Sequence, residues 1–300
     1  MRLLNIARQL KRRRAEYKLR RLRAKVEQIL ADTSAQPSPL SSEDVFSELQ
    51  AAYDPLPEYG YDRASCWRRA AHRVQHLLEF EALRETGLRM LETSCGDGMT
   101  GALLSGYGHK VDLHDLEDWR DPRARHLPMT LGDLKDPLPF ESHSFDLLCS
   151  FNAFEHVSDP SAAFAEMLRL CRPGGFILLD FGPLFASPWG LHAYRTLRMP
   201  YPQYLFTEDF IQRKLSAMGL WDLGRAQTTL QPLNRWRVRD FEALWSRDDC
   251  EVIERYHHAP DPLFTDLILR FPSAFRHRGL RWDDVTVHAL RVMIRKRPLG

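Results

Sequence analysis

The pattern of apolar and polar residues begins with a stretch that contains no proline or glycine from residue 1 to about residue 31. Apolar residues recur at the spacing of one face of an α-helix, so we predict a helix over residues 1–31. The apolar positions are Ala15, Leu19, Leu22, Val26, Ile29 and Leu30. Residues 32–42 are rich in serine and proline and predict a linker, at the end of which Ser41 or Ser42 caps the next helix.

Two further helices are predicted before the chain changes character, one from about Val45 to Ala52 and one from about Ser65 to Arg84. Gly87 is placed to end the second helix, because a glycine just past a helix adopts the left-handed conformation readily. We interpret residues 43–87 as a helical cap on the main domain.

Short apolar strands alternate with helical stretches from residue 88 onwards. Alternation of this kind predicts an α/β fold, in which a parallel sheet has helices on both faces. The predicted strands begin at Leu88 and lie at Lys110 to His114, Phe145 to Phe151 and Phe176 to Phe181, with a helix around Pro160 to Cys171.

Composition narrows the class of protein. The five cysteines lie far apart and form no C-x-x-C pair, so neither a zinc ribbon nor a disulfide framework is indicated. No apolar run approaches the roughly 20 residues of a membrane span, and the N-terminus carries charges where an export signal needs apolar residues. These features predict a cytoplasmic protein.

Charge is distributed unevenly along the chain. Residues 1–25 hold 11 Lys and Arg and one acid, Glu16, a balance of +10, which leaves 31 bases and 39 acids, or −8, in the rest. Such a basic helix suits an anionic membrane surface or a phosphate-rich partner, while the alternative is a solvated helix whose apolar stripe packs on the body. Its basic residues include Lys11, Arg12, Arg13, Arg14, Lys18, Arg20, Arg21, Arg23 and Lys25.

A glycine-rich turn follows the first predicted strand. Gly96 and Gly98 allow the backbone to turn sharply and approach a ligand, and the next helix points its N-terminal amides into the same space. Asp115 ends the second strand 19 residues after Gly96, where a carboxylate can accept hydrogen bonds from both hydroxyls of a ribose. Asp133 could accept from an adenine amine, and Leu134 could pack on the ring.

Gly96, Gly98 and Gly101 also satisfy the G-x-G-x-x-G spacing of nicotinamide-binding folds. The choice between the alternatives rests on Glu92 ahead of the loop, on Asp133, and on two later segments. These are Asn152 to Val157, which contains Glu-His-Val, and Arg172 to Gly175, which reads R-P-G-G in the position of a turn before the next predicted strand. With these segments, residues 88–182 resemble the class I S-adenosylmethionine-dependent methyltransferases, in the branch that acts on small molecules. The resemblance implies a Rossmann-like sheet and a third strand near Met129 to Leu131.

The resemblance also implies a set of residues that bind S-adenosylmethionine. Ser94 stands where the family usually has glycine, so its hydroxyl either intrudes on the cofactor or hydrogen-bonds to it. Asn152 lies where the backbone approaches the methionine portion, in a position where an acid would be wanted for a metal, so a metal is not favoured. The implied cofactor residues are Glu92, Ser94, Gly96, Gly98, Asp115, Asp133, Leu134 and Asn152.

The remainder of the chain matches the family's ending. Residues 183–245 form a long insertion after the fifth strand, which we interpret as a lid over the acceptor. Within it, residues 206–210 cap a helix that runs through Met218. Cys250 to His257 and Val285 to Arg295 are predicted as the last two strands, the final one antiparallel, within residues 246–300. Leu220 to Ala226 is an alternative for the first of them. Asn234 to Phe241 either contacts an anionic substrate or begins a surface helix.

Removal of a proton from an acceptor hydroxyl needs a base, and a neutral histidine is the usual choice. His192 in the insertion and His156 after the fourth strand are the candidates, although His156 could simply hold its turn.

We therefore expect an S-adenosylmethionine-dependent O-methyltransferase that acts on a hydroxyl of a sugar, glycan or related metabolite, with peripheral membrane contact through residues 1–25. A weak similarity of residues 182–194 to methyltransferases of bacterial glycan assembly gives the acceptor class. The alternatives are a nucleic-acid methyltransferase that docks through the basic helix and a binding protein that retains the fold without catalysis. The acidic body argues against nucleic acid.

Overall fold

The computed structural model describes residues 2–56, 60–223, 225–259 and 262–298, and the side chains of residues 2–12 and of residue 263 lie outside that description. The helices are α1 Arg2–Ala31, α2 Glu43–Ala52, α3 Arg63–Leu77, α4 Met99–Gly106, α5 Pro160–Leu170, α6 Pro202–Leu205, α7 Glu208–Met218, α8 Val238–Trp245, α9 Asp266–Arg270, α10 Pro272–Phe275 and α11 Trp282–Thr286. The strands are β1 Arg89–Thr93, β2 Lys110–Asp115, β3 Met129–Leu131, β4 Phe145–Phe151, β5 Cys171–Phe181, β6 Leu220–Asp222, β7 Arg225–Gln227, β8 Cys250–His258 and β9 Ala289–Lys296.

The chain divides into two compact units. The helical unit comprises residues 1–56, 186–220 and 259–288, and the sheet unit comprises residues 57–185, 221–258 and 289–300. None of the helices in the described ranges combines the length and the apolar character that crossing a membrane requires.

The sheet unit is built on seven strands in the order β3-β2-β1-β4-β5-β9-β8. The first five strands are parallel, and β9 runs antiparallel between β5 and β8. Leu147, Leu148 and Cys149 of β4 are completely buried, as expected of a central strand covered on both faces. The strand order reverses between β1 and β4, and ligands of open α/β sheets bind in the crevice at the carboxyl ends of such strands.

Local side-chain chemistry fixes where the helices of the sheet unit begin. The Asp62 carboxylate accepts hydrogen bonds from the Ala64 and Ser65 amides at the start of α3. Asp159 accepts from the Ala162 amide at the start of α5, where Pro160 occupies the first turn. Side-chain oxygens at these positions satisfy amides that have no partner within the helix.

The helical unit is held by an aromatic cluster and a buried hydrogen bond. Phe46 of α2 packs edge-on against Phe206 and Phe210, with ring centroids 5.6 Å apart in both pairs. The hydroxyl of buried Tyr201 donates to the Val285 carbonyl at 2.7 Å. Buried aromatic pairs in such geometry add about 0.5–1.5 kcal/mol beyond the area that they bury.

Most predicted elements are confirmed, including α1, α2, α5, α7, β2, β3 and β4, and the antiparallel insertion of the last strand. Ser42 is the cap of α2 and accepts from the Val45 amide at 3.3 Å. The start of α8 at Val238, directly after Arg237, confirms a helix start within residues 234–241. The domain boundaries predicted at residues 31, 42, 87, 182 and 245 stay predictions.

The predicted helix from Ser65 to Arg84 is wrong at its end, because α3 stops at Leu77. The Arg84 guanidinium donates to the Leu78 and Glu79 carbonyls at 2.7 and 3.2 Å, so a side chain takes the acceptors that a continued helix would use. Gly87 is left-handed, with φ of +81°, but its amide donates to the Gly108 carbonyl at 3.0 Å just before β1 and does not end the helix.

Strand limits differ from the prediction at three places. The segment from Arg172 to Gly175 lies inside β5 and is not a turn before that strand. It is an irregularity of the strand, because the pairing passes from Cys171 opposite Phe145 to Phe176 opposite Leu147 of β4. Val285 belongs to α11, which begins after Arg281, where the Asp284 carboxylate accepts from the Arg281 amide at 2.9 Å, and the final strand begins at Ala289. Residues 220–227 form a separate two-stranded sheet of β6 and β7, with Gly224 outside the described residues.

Candidate functional site

The loop between β1 and α4 has the backbone conformation that its glycines permit. Gly96 and Gly98 have φ of +54° and +66°, in the left-handed region. A Cβ on Gly98 would lie 2.9 Å from Leu113 Cδ1, whereas a Cβ on Gly96 would meet nothing within 4 Å. The loop therefore packs on β2 at one glycine and borders open space at the other, which leaves room for a ligand beside the amides that begin α4.

Asp115 lies at the end of β2 and braces this loop. One carboxylate oxygen accepts from the Gly96 amide at 2.8 Å, and the other accepts from the Leu116 amide at 2.7 Å. Burial raises the pKa of Asp115, and hydrogen bonds from the Gly96, Leu116 and Glu117 amides oppose that shift. A carboxylate has about four acceptor positions, so Asp115 can still accept from a hydroxyl group of a ligand.

Glu92 lies behind the loop and is 1% exposed. Its Oε2 accepts from the Gly101 amide of α4 at 2.8 Å, which ties β1 to the helix that follows it. Burial raises the pKa of Glu92 to about 7, against the favourable charge of Arg73. Glu92 thus contacts the first turns of α4 from behind the loop, so the structure gives it a supporting position.

Asp133 and Leu134 follow β3 at the same edge of the sheet. Lys135 Nζ lies 2.9 Å from Asp133 Oδ2, and the Lys135 amide donates to Oδ1 at 3.2 Å. Burial acts to raise the pKa of Asp133, but the hydrogen bonds from Lys135 outweigh it and the pKa is lowered. The Leu134 side chain is buried. The Gly132 amide donates to the Asp115 carbonyl at 3.1 Å, so the ends of β2 and β3 are linked.

Two residues without glycine's freedom adopt left-handed backbone at adjacent strand ends. Ser94 after β1 has φ of +50°, and Asn152 after β4 has φ of +51°. The two strands pair up to Thr93 and Ser150, so both residues lie at the point where the strand order reverses. The Asn152 amide donates to the Asp180 carbonyl at 2.8 Å. Strained backbone of this kind clusters at functional sites.

Sequence reasoning missed two arginines of α3 that reach this edge. The Arg73 guanidinium lies 4.5 Å from the centre of the Phe151 ring and donates to Thr100 Oγ1 at 3.4 Å. Arg69, one helical turn earlier, donates to Asp97 Oδ2 at 3.4 Å. The signal was their spacing of four residues on the helix face that also carries buried Cys66 and Ala70, which the prediction treated only as a cap.

His156 is held in a fixed orientation after β4. Its Nδ1 lies 2.8 Å from the Pro232 carbonyl oxygen, and because a carbonyl only accepts, Nδ1 carries the proton. Its Nε2 lies 3.9 Å from Oε1 of buried Glu155, which also accepts from the Gly182 amide at 3.1 Å. Burial raises the pKa of Glu155. The Asn234 side chain donates to the Phe154 and Val157 carbonyls at 2.8 and 3.0 Å and fixes the segment.

His192, the other predicted base, belongs to the helical unit. It is buried, has φ of +59°, and its amide donates to the Trp189 carbonyl at 3.1 Å.

The strand order, the glycine loop after β1 and the acid at the end of β2 define the class. The sheet unit has the Rossmann-like fold of a class I S-adenosylmethionine-dependent methyltransferase. Residues 91–179 match the family described as "Methyltransferase domain", so this part of the chain is a methyltransferase domain, and S-adenosylmethionine is the cofactor of its class.

Two curated relatives and one solved structure illustrate the similarity. The chain is 28% identical over 159 residues to a demethylmenaquinone methyltransferase of Clavibacter sepedonicus, covering 50% of this chain and 60% of the relative. It is 30% identical over 136 residues to a malonyl-[acyl-carrier protein] O-methyltransferase of Yersinia pestis, covering 44% and 49%. A SAM-dependent methyltransferase of Methanosarcina mazei superposes with a TM-score of 0.46 at 16% identity, covering 76% of this chain and 98% of that chain. The chain thus spans about half the length of the curated relatives that it matches.

Proposed function

We propose that this protein transfers the methyl group of S-adenosylmethionine to a hydroxyl of a small-molecule acceptor, with a sugar, glycan or related metabolite as the acceptor class. The observation that carries the proposal is the Asp115 carboxylate, fixed by the Gly96 amide beside an open glycine loop. When bound, the cofactor supplies an electrophilic methyl group on a sulfonium. The protein's task is then to align the acceptor, exclude water and remove a proton.

The residues at the strand ends fit that cofactor. Asp115 retains acceptor capacity toward the hydroxyls of a ribose, as a nucleoside requires. Asp133 accepts from an adenine amine only while sharing its carboxylate with Lys135, and Leu134 packs against the base. The backbone at Ser94, Gly96, Gly98 and Asn152 borders the methionine portion in this assignment, while Glu92 supports the loop from behind.

The orientation of His156 supports a role as general base. With the proton on Nδ1 held by the Pro232 carbonyl, the lone pair of Nε2 is the basic site. Glu155 Oε1, 3.9 Å from Nε2, stabilises the cation that forms when the ring takes a proton from the acceptor. His192 remains the second candidate for this role.

The names of two relatives support oxygen as the methylated atom. One is called a malonyl-[acyl-carrier protein] O-methyltransferase, and another, 28% identical over 102 residues, is a ubiquinone biosynthesis O-methyltransferase of Thiobacillus denitrificans. The two names give different acceptors. The similarity therefore supports transfer of a methyl group to oxygen, and the acceptor is identified by experiment.

Transfer of a radiolabelled methyl group tests the proposal. The intact chain is incubated with labelled S-adenosylmethionine and a panel of nucleotide-sugars, simple glycans, catechols and carboxylic acids. We expect alkali-stable label on a sugar or glycan hydroxyl. Label on a carboxylic acid or catechol would contradict the acceptor class, and no label on any acceptor from a chain that binds the cofactor would contradict the activity.

The base is identified with His156→Gln and His192→Gln. If His156 is the base, its substitution lowers kcat by about 10²–10⁴-fold and leaves cofactor affinity within about twofold. The same result for His192→Gln, with His156→Gln unchanged, would assign the role to His192.

A further inference from the structure

The middle of α1 is exposed on every side. Each side chain from Arg13 to Arg21 is exposed, and burial begins only at Val26 and Leu30 near the end of the helix. A helix that lies along a protein body buries residues at intervals of three and four. Nine consecutive exposed residues therefore mean that all sides of this stretch of helix are free of packing against the described chain. They contact either water or a partner.

This exposed stretch is strongly basic. Five of its nine residues are Lys or Arg, and Glu16 is its one acid. The bases Arg13, Arg14, Lys18 and Arg20 form no ion pair with a residue in the described ranges, whereas Arg23 further along pairs with Glu27 at 2.8 Å. Together with the +10 balance of residues 1–25, this arrangement favours a strongly anionic partner over a solvated surface helix.

Apolar residues in the first turns of α1 lie on a different face of the helix from Val26, which is buried. In the sequence, Leu3, Ile6, Ala7 and Leu10 recur at intervals of three and four, and Tyr17 follows Leu10 by seven residues. Tyr17 is 61% exposed. Val26, which is buried, stands nine residues after Tyr17, and at about 100° per residue the two lie roughly half a turn apart around the helix. The stripe that ends at Tyr17 is thus distinct from the stripe that is buried.

We propose that α1 is a docking helix for an anionic lipid surface, with the apolar positions of the stripe from Leu3 to Tyr17 at the acyl boundary. Arg14 stands on the same face, between Leu10 and Tyr17, and its long side chain extends to the headgroups, as do the flanking Lys and Arg. An interfacial helix needs an apolar face together with a basic one, and both are present here. Nucleic acid would use the charge but has no use for the apolar stripe, so the stripe decides between the two anionic partners.

Sedimentation with vesicles tests the proposal on the full-length chain. We expect binding to vesicles of phosphatidylcholine and phosphatidylglycerol at a 7:3 ratio, no binding to phosphatidylcholine alone, and loss of binding as salt is raised from 0.1 to 0.5 M. Combined Arg13→Gln, Arg14→Gln and Lys18→Gln should lower the partition coefficient about 100-fold. Combined Ile6→Ser and Leu10→Ser should lower it at least about tenfold.

The matched control neutralises three exposed bases outside α1, with Lys110→Gln, Arg125→Gln and Arg198→Gln, and should leave vesicle binding unchanged. Three results would overturn the proposal. One is failure of the intact chain to bind the anionic vesicles. Another is tight binding of an RNA or DNA duplex that the Ile6→Ser, Leu10→Ser variant retains. The third is a dimer in sedimentation velocity without vesicles that this variant dissociates, which would make the stripe an interface between two copies of the chain.

Discussion

Ser94 is a single residue at which this chain differs from what its resemblance to the methyltransferases implies, namely a glycine. Ser94 carries a Cβ, and its backbone adopts the left-handed conformation, with φ of +50°. An L-residue other than glycine pays roughly 1–2 kcal/mol for that conformation. The departure therefore preserves the shape of the loop and stores strain in it.

We expect Ser94→Gly to raise the free energy of unfolding by about 0.5–1 kcal/mol, since relief of strain exceeds the added entropy of the unfolded chain. Ser105→Gly is the matched control, because Ser105 lies in α4 and the same change there should lower stability by a similar amount. Urea unfolding checks both variants. Equal losses from the two substitutions would show that Ser94 is not strained.

Glu92 predicts a pH dependence of stability. Its pKa in the folded protein, about 7, lies above the ordinary value of 4.5, so the folded state keeps a proton that the unfolded state releases first. The free energy of unfolding should fall as pH rises from about 4.5 to 7, by about 3 kcal/mol for this one group, and level off above it.

Glu92→Gln keeps a side-chain oxygen for the Gly101 amide and removes the titration. Urea unfolding at pH 5 and pH 7.5 should therefore show a smaller difference in this variant than in the natural chain. Glu81→Gln, at an exposed position, should leave the difference unchanged. An undiminished pH dependence in Glu92→Gln would refute the assignment.

At the scale of the element, the contact between α4 and β2 depends on one glycine. A Cβ on Gly101 would lie 2.6 Å from Leu113 Cδ2 and 3.1 Å from Glu92 Oε2, whereas nothing lies within 4 Å of the corresponding position at Gly106. Close approach of helix and strand at the third glycine of such a loop is what brings the helix N-terminus to the ligand.

Gly101→Ala should lower the free energy of unfolding by about 1–3 kcal/mol, because buried neighbours must shift. Gly106→Ala, in the same helix, should be neutral or raise it by up to about 1 kcal/mol. Thermal unfolding of the two variants measures the difference. Similar melting temperatures for both would mean that α4 does not pack as closely on β2 as the structure shows.

The elements that the sequence predicts best are those with a simple repeating pattern. Continuous apolar runs predict β4 and the core of β5, and the proline-capped period of α5 predicts its limits. The prediction fails where a single side chain overrides the pattern, as Arg84 does after α3 and Asp284 does at α11. Such effects depend on specific side-chain hydrogen bonds, which the spacing of apolar residues along the sequence does not reveal.

At the scale of the whole molecule, the candidate site is assembled from distant parts of the chain. Asp115 was predictable because its distance from the glycine loop is fixed by one helix and one strand. Arg69 and Arg73 were not, because α3 precedes the sheet and its position is set by tertiary packing. Each of the two units is made of three separate segments of the chain. A division of the sequence into consecutive domains therefore does not describe them.

The most direct test of the account is calorimetric titration of the intact chain and of Asp115→Ala with S-adenosylmethionine. Asp115 is chosen because it joins the glycine loop to the end of β2 and leaves acceptor positions toward the cofactor's ribose. We predict one binding site in the intact chain. Because hydrogen bonding to a charged group is lost together with the brace of the glycine loop, we predict an affinity at least about 100-fold lower in the variant. No binding by a well-folded intact chain, or equal affinity in the two, would contradict the account.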